Sequence, residues 1–312
     1  MIGSYIENYS IYRLIYAIFG LFLCLLLIGW GSMVTTLEAG LAVPDWPTSF
    51  GSYDPFNPGF SDPENPSLKW WEDTGVMVEH VHRLLGALVG LWTIGLAVWT
   101  YIADPRRWMK ITATIAVALV VIQGLLGGLR VLWTSLDLAV AHAMGAQIFF
   151  CTASILALSN SKLWFQHTLS ENAGIDTVRV LAFFTAGSVF IQILLGALLR
   201  HPGAGIDTNF IIVHVLGGII ALSFIILTYS YIREYFPFIH LFYAGAFWIL
   251  YTAIFQILLG VASLIAVKYD SGLNQIGFWQ VTSTSNHVVF GSLLMGACAC
   301  IIAGTLKSKL ER

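Results

Sequence analysis

The sequence predicts an all-α integral membrane protein of eight transmembrane helices, arranged as two homologous four-helix bundles. Three observations predict it. The 312 residues are 57% apolar and only 10% charged, whereas soluble domains carry about 25% charged residues. Mean hydropathy is accordingly high, at +0.79. Apolar stretches long enough to cross ~30 Å of hydrocarbon recur along the chain, and a histidine-bearing motif recurs with them. A net charge of −2 without a basic arm carries no suggestion of nucleic acid as a partner, and the lipid bilayer is the expected surroundings.

The first expected span covers residues 13–34. Its apolar run from Leu14 to Val34 is too long for a signal-peptide core and lacks a small-x-small cleavage site, so it is expected to remain as the first helix. Residues 35–74 cannot span, because they carry Glu38, Asp45, Asp54, Asp62, Glu64, Glu72 and Asp73 among the prolines Pro44, Pro47, Pro55, Pro58, Pro63 and Pro66. They read as a long acidic loop. Further spans are expected at 76–101, 110–129, 138–159, 179–199, 210–232, 240–266 and 284–305. Basic residues Arg106, Arg107, Lys110, Lys162, Arg179, Arg233, Lys307, Lys309 and Arg312 all fall on the side opposite the acidic loop. The positive-inside rule then puts both termini in the cytoplasm and the 35–74 loop outside, in what is expected to be a bacterial cytoplasmic membrane. Cys24, Cys151, Cys298 and Cys300 lie within apolar segments and read as small hydrophobes rather than a loop disulfide or a thiolate metal site.

An internal repeat organises the spans. The third ends IQGLLGGLR (Ile122 to Arg130), the fifth IQILLGALLR (Ile191 to Arg200), and the seventh contains FQILLGVAS (Phe255 to Ser263). Each precedes a span that opens on a histidine: His142, His214 and His287. The first two spans fit the scheme, with VEHVHRLLG as the histidine segment, although the first span lacks the glutamine. Two halves follow, 1–165 and 166–312, as expected of parallel repeats in one membrane. A glycine three or four residues after each of His82, His142, His214 and His287 selects His82 over His80. His80 lies about 200° away on the helical wheel.

Each half thus offers one histidine on its second helix and one on its fourth. Two imidazoles on facing helices of a bundle, with a glycine one turn below to admit a flat ring, suit axial ligation of haem iron. The alternative for the set is hydrogen bonding of each imidazole to a carbonyl or carboxylate. A zinc protease would need H-E-x-x-H, and EHVHR has neither that order nor that spacing. Arg83, Arg130 and Arg200 stand at helix ends where haem propionates would emerge, and a guanidinium matches a carboxylate fork. Interfacial snorkelling is the alternative for Arg130 and Arg200. Gln123, Gln192 and Gln256 read as interhelical hydrogen-bond glue.

Glu79 has no counterpart in the repeat, where Ala139, Ile211 and Thr284 stand at the matching offset. At a haem edge it could serve as a general base or hold a water; an ion pair with Arg83 or Lys69 is the other possibility. Trp46, in AGLAVPDWPTSFG, belongs to a lid over the histidine-bearing ends or to an interfacial anchor.

These features together resemble the haem A synthase family, which finishes the haem of cytochrome c oxidases. The resemblance covers essentially the whole chain: eight spans, two homologous halves, the EAGLAVPDWPTSFG loop, the Glu79, His82 and Arg83 cluster, and His142, His214 and His287. It implies a membrane oxidoreductase that oxidises the C8 methyl group of haem O to a formyl group, giving haem A. It further implies Glu79 as the essential acid, and His82 with His142 as the pair at the reacting haem. His214 with His287 would hold a haem b cofactor. Haem O is then the substrate, haem O synthase is an open question as a docking partner, and the electron acceptor is unidentified. Some bacterial members carry a cysteine pair in an outer loop, and this loop has none. From another class, a non-catalytic di-haem b electron carrier would use the same four histidines, without a use for Glu79.

Overall fold

The computed structural model describes residues 9–166, 174–200, 208–273 and 276–310. Among them the regular elements are all helices: α1 (Ile11–Thr36), α2 (Thr74–Ala103), α3 (Arg107–Leu132), α4 (Leu136–Ser159), the short α5 (Lys162–Gln166), α6 (Ile175–Leu199), α7 (Thr208–Tyr235), α8 (His240–Leu273) and α9 (Phe278–Leu310). All but α5 are long and apolar enough to cross a membrane. Large apolar side chains such as Ile15, Phe19 and Phe22 on α1 point outward, as they must where the solvent is hydrocarbon. The chain is an integral membrane protein.

Local chemistry starts the helices where the hydropathy rises. Ser10, Asp73 and Ser135 cap α1, α2 and α4 by accepting a hydrogen bond from the N–H three residues on, which satisfies one of the otherwise orphaned first-turn donors. Two spans differ most from expectation: α8 runs to Leu273 rather than 266, and α9 starts at Phe278 rather than 284. The added turns carry Lys268, Asp270, Gln280 and Ser283. A hydropathy window stops where the backbone helix does not.

Packing follows chain order and closes on itself twice. In the first circuit α1 packs on α2, α2 on α3, α3 on α4 and α4 back on α1; in the second α6, α7, α8 and α9 do the same. Each circuit surrounds its own apolar core, with Leu23, Val89, Ala113 and Phe150 in the first and Val189, Ile225, Ile249 and Ile301 in the second. The helix α9 also packs on α1 and α4 and so joins the two.

The two ends of the molecule are built differently. At the end away from the 37–73 loop, Arg106 grips Asp104 through Nε and Nη2 (2.9 and 2.7 Å) and the Ser159 carbonyl through Nη1 (2.9 Å). Arg13 reaches the same carboxylate at 3.0 Å. These groups are almost fully buried, and removing one partner of such a cluster strands a charge at a cost of about 3–5 kcal/mol. The four cysteines are free thiols within the helices.

Candidate functional site

At the loop-bearing end the histidines meet in two pairs. The rings of His82 on α2 and His142 on α4 have centroids 6.4 Å apart, with planes at 82°. His214 on α7 and His287 on α9 have centroids 6.3 Å apart, with planes at 74°. Imidazole nitrogens bind first-row metals at ~2.0 Å, and the ring centre lies roughly 1 Å further back, so two trans imidazoles on one metal have centres about 6 Å apart. Both pairs match that span.

Their second nitrogens differ within each pair. His142 and His287 turn Nδ1 to the main-chain carbonyls of Gln123 (3.1 Å) and Gln256 (3.0 Å), the interaction that orients a metal-binding imidazole. The Nδ1 atoms of His82 and His214 are buried without a hydrogen-bond partner among the described residues. A buried nitrogen left so costs about 1–3 kcal/mol, and it is the kind of atom that a metal or bound ligand satisfies. Among the described residues no three His, Cys, Asp or Glu side chains converge. A lone imidazole pair is the donor set for iron already held in plane by a tetrapyrrole.

Each ring rests edge-on against a glycine of the preceding helix. A Cβ built at Gly31, Gly127, Gly196 or Gly260 would lie 2.8, 3.2, 3.4 or 3.0 Å from Cε1 of His82, His142, His214 or His287 respectively. The glycines following the histidines, expected to admit the flat ring, do something else. Gly145, Gly217 and Gly291 lie against the side-chain amides of Gln123, Gln192 and Gln256, and Gly86 meets nothing within 4 Å. The reason is the missing glutamine of α1, where Leu27 stands four residues before Gly31. The glutamines are also not simple glue: Gln256 Nε2 lies 3.3 Å from His287 Nε2, and the buried amide of Gln123 has no partner among the described residues.

Glu79 is 3% exposed and is paired with Arg83, Nη2 to Oε1, at 2.7 Å; Lys69 is not its partner. Its Oε2 accepts the N–H of Val43 at 2.9 Å. Arg83 continues onto the loop, donating to the carbonyls of Val43 (2.9 Å), Asp45 (2.6 Å) and Thr48 (3.0 Å). The pair thereby pins residues 43–48 to α2. His80 serves the loop from the opposite face, with Nδ1 3.2 Å from Ser49 Oγ and Nε2 3.0 Å from the Pro55 carbonyl. The helical-wheel separation of His80 from His82 therefore holds in the structure.

The other arginines part company. Arg130 lies against Gly40, and among the described residues its guanidinium has no hydrogen-bond partner. Arg200 crosses to the first circuit instead, donating to Ser32 Oγ (2.7 Å), the Ser32 carbonyl (2.8 Å) and Thr36 Oγ1 (2.6 Å) on α1. Thr36 in turn meets Thr284 of α9 at 3.0 Å.

Within the loop, Asp45 is the organising carboxylate. Burial pushes its carboxyl up, but hydrogen bonds from the Thr48 hydroxyl and the Gly51 and Phe50 amides outweigh burial and hold it below the usual carboxylate range. A carboxyl depressed on folding contributes stability above its unfolded value of ~3.9 and loses it as the pH falls through the lower folded value. Resistance of the loop to proteolysis is therefore expected to persist as the pH is lowered towards 4 and to fail below it. Asp45→Asn should weaken that resistance already at neutral pH; an unchanged digestion profile would show that Asp45 does not hold the loop.

A family model described as COX15-CtaA, cytochrome oxidase assembly protein, matches residues 14–212. The chain belongs to this family. The matched stretch contains Glu79, His82, Arg83, Arg130, His142 and Arg200 and ends just before His214. Among individual relatives, the protein named Heme A synthase of Exiguobacterium sp. is 29% identical over 176 residues, 56% of this chain and 53% of that protein. Its namesake in Exiguobacterium sibiricum is 27% identical over 196 residues, 61% and 60% of the two chains. A third, from Symbiobacterium thermophilum, is 28% identical over 187 residues, 58% and 56%. The match spans 53%, 60% and 56% of the length of these three relatives.

Proposed function

We propose that the chain is a haem A synthase, oxidising the C8 methyl group of haem O to a formyl group for cytochrome oxidase. The observation that carries this reading is the coincidence of two histidine pairs, each spaced for one iron, with a buried carboxylate, Glu79, one turn before His82 and none at the matching offset before His142, His214 or His287. Names of the relatives support the same activity. The N-terminal half, 1–165, holds haem O between His82 and His142, and the C-terminal half, 166–312, keeps haem b between His214 and His287. Bound haem iron would supply the redox chemistry, and an external oxidant would take up the four electrons that leave the methyl group as it becomes a formyl group. The excess of basic residues at the opposite end supports an orientation with the 35–74 loop outside and the termini in the cytoplasm.

The chain's own residues bind, orient and handle protons. The glycine seats and the Gln123 and Gln256 carbonyls fix the imidazoles. Arg130, with its donors unspent, takes a propionate of the N-terminal haem. Arg83 and Arg200 flank the sites while holding the loop and α1. Glu79 acts as base: each carboxylate oxygen has two acceptor positions, so Oε1 beside Arg83 and Oε2 beside Val43 each keep one for a water or a proton lost from the methyl group.

Expression in a host that makes haem O but no haem A tests the proposal. Formyl-haem should appear in the extracted pigments only with the protein present. Pigments restricted to haem b and haem O would overturn it in favour of a di-haem electron carrier.

A further inference from the structure

Two imidazoles on opposite faces of one iron fix its position along a single axis. They leave the macrocycle free to turn about that axis. An electron carrier works in any rotational setting, but an enzyme that oxidises one methyl group among several on the ring edge needs a stop. Glu79 can serve only the group that faces it.

Among the described residues a candidate stop stands in the first half alone. On α3, Gly127 seats His142, and the adjacent Gly128, buried, seats the indole of Trp46 so closely that no Cβ fits between them. In the second half Gly196 seats His214, but the next residue is Ala197, whose methyl group would fill such a seat. Trp46 is also held from both sides. Arg83 binds the carbonyls of Asp45 and Thr48, the Asp45 carboxylate ties back to the Phe50 and Gly51 amides at 2.6 and 2.8 Å, and Pro44 and Pro47 restrict the flanking backbone. The clamp that holds this segment contains Glu79 itself. Acid group and indole are therefore fixed relative to each other.

We propose that Trp46 is a positioning residue of the N-terminal site, its indole forming a wall against the edge of the bound tetrapyrrole and setting which peripheral group faces Glu79. The inference rests on the reading that His82 and His142 hold the substrate. Purified full-length protein with its haem load provides the test, in the variants Trp46→Ala, Trp46→Phe, Gly128→Ala and His82→Ala. Haem per chain, circular dichroism of the Soret band and the site of oxidation in extracted pigments are measured. Trp46→Ala and Gly128→Ala should keep the wild-type haem content, alter the dichroism, and lower the yield of correctly oxidised haem at least tenfold or spread oxidation over other methyl groups. Trp46→Phe should recover most of the wild-type behaviour. Unaltered dichroism and product in both disruptive variants would overturn the role of Trp46. So would loss of the N-terminal haem in Trp46→Ala, because the indole would then hold the macrocycle rather than turn it. Full haem content in His82→Ala would overturn the underlying reading instead.

Discussion

Glu79→Gln is expected to keep the wild-type haem content while formyl-haem production falls by about 10²- to 10⁴-fold, the usual contribution of a general acid or base. Haem O or a hydroxylated intermediate should accumulate in its place. The substitution keeps an oxygen to accept the Val43 N–H, now 2.9 Å from Oε2, and gives up the charge that pairs with Arg83. Loss of the pair alone could loosen residues 43–48, so Arg83→Ala and the double variant belong in the same experiment. If Glu79 acts on the substrate, the double variant should be far less active than Arg83→Ala. If the two residues serve only as one clamp, the double variant and Arg83→Ala should match. Wild-type output from Glu79→Gln would reduce Glu79 to a structural role.

Alanine substitutions at the four histidines should fall into two classes. His82→Ala and His142→Ala should lose the haem of the first pair, and with it all formyl-haem, because no other donors converge there among the described residues. His214→Ala and His287→Ala should lose haem b and keep the capacity to bind haem O. Haem extracted per mole of protein, separated by type, distinguishes the classes. A single substitution that removed both haems equally, or neither, would break the assignment of one iron to each pair.

Much of this site was legible because its signals are periodic. The recurrence of histidine after each glutamine-bearing helix end located His142, His214 and His287, the glycine spacing selected His82, and the absence of a carboxylate at Ala139, Ile211 and Thr284 singled out Glu79. What stayed hidden depends on how helices are rotated against each other. The glycines that seat the rings lie on the preceding helices, at Gly31, Gly127, Gly196 and Gly260. A repeated Q-x-x-x-G spacing marks the last three in the sequence, though not the face they present. The reach of Arg83 to three loop carbonyls and of Arg200 to Ser32 and Thr36 was also invisible. A main-chain carbonyl is offered by every residue and leaves no trace in a sequence. The extended ends of α8 and α9 escaped for a related reason, since helix beyond the hydrocarbon carries polar residues.

The anchoring of α1 has a consequence for biosynthesis. This helix is made before α6 and α9, yet part of what holds its loop-bearing end comes from them: Arg200 at the end of α6, and Thr284 and Val289 on α9, the last packing against Gly29. Gly31, the seat of His82, lies between them. Until α9 is inserted, the α1–α4 circuit therefore lacks its final fit. A nascent chain halted before α9 would carry a first circuit without its final fit, and on the reading proposed above this limits the chance of haem being held there before α9 is in place.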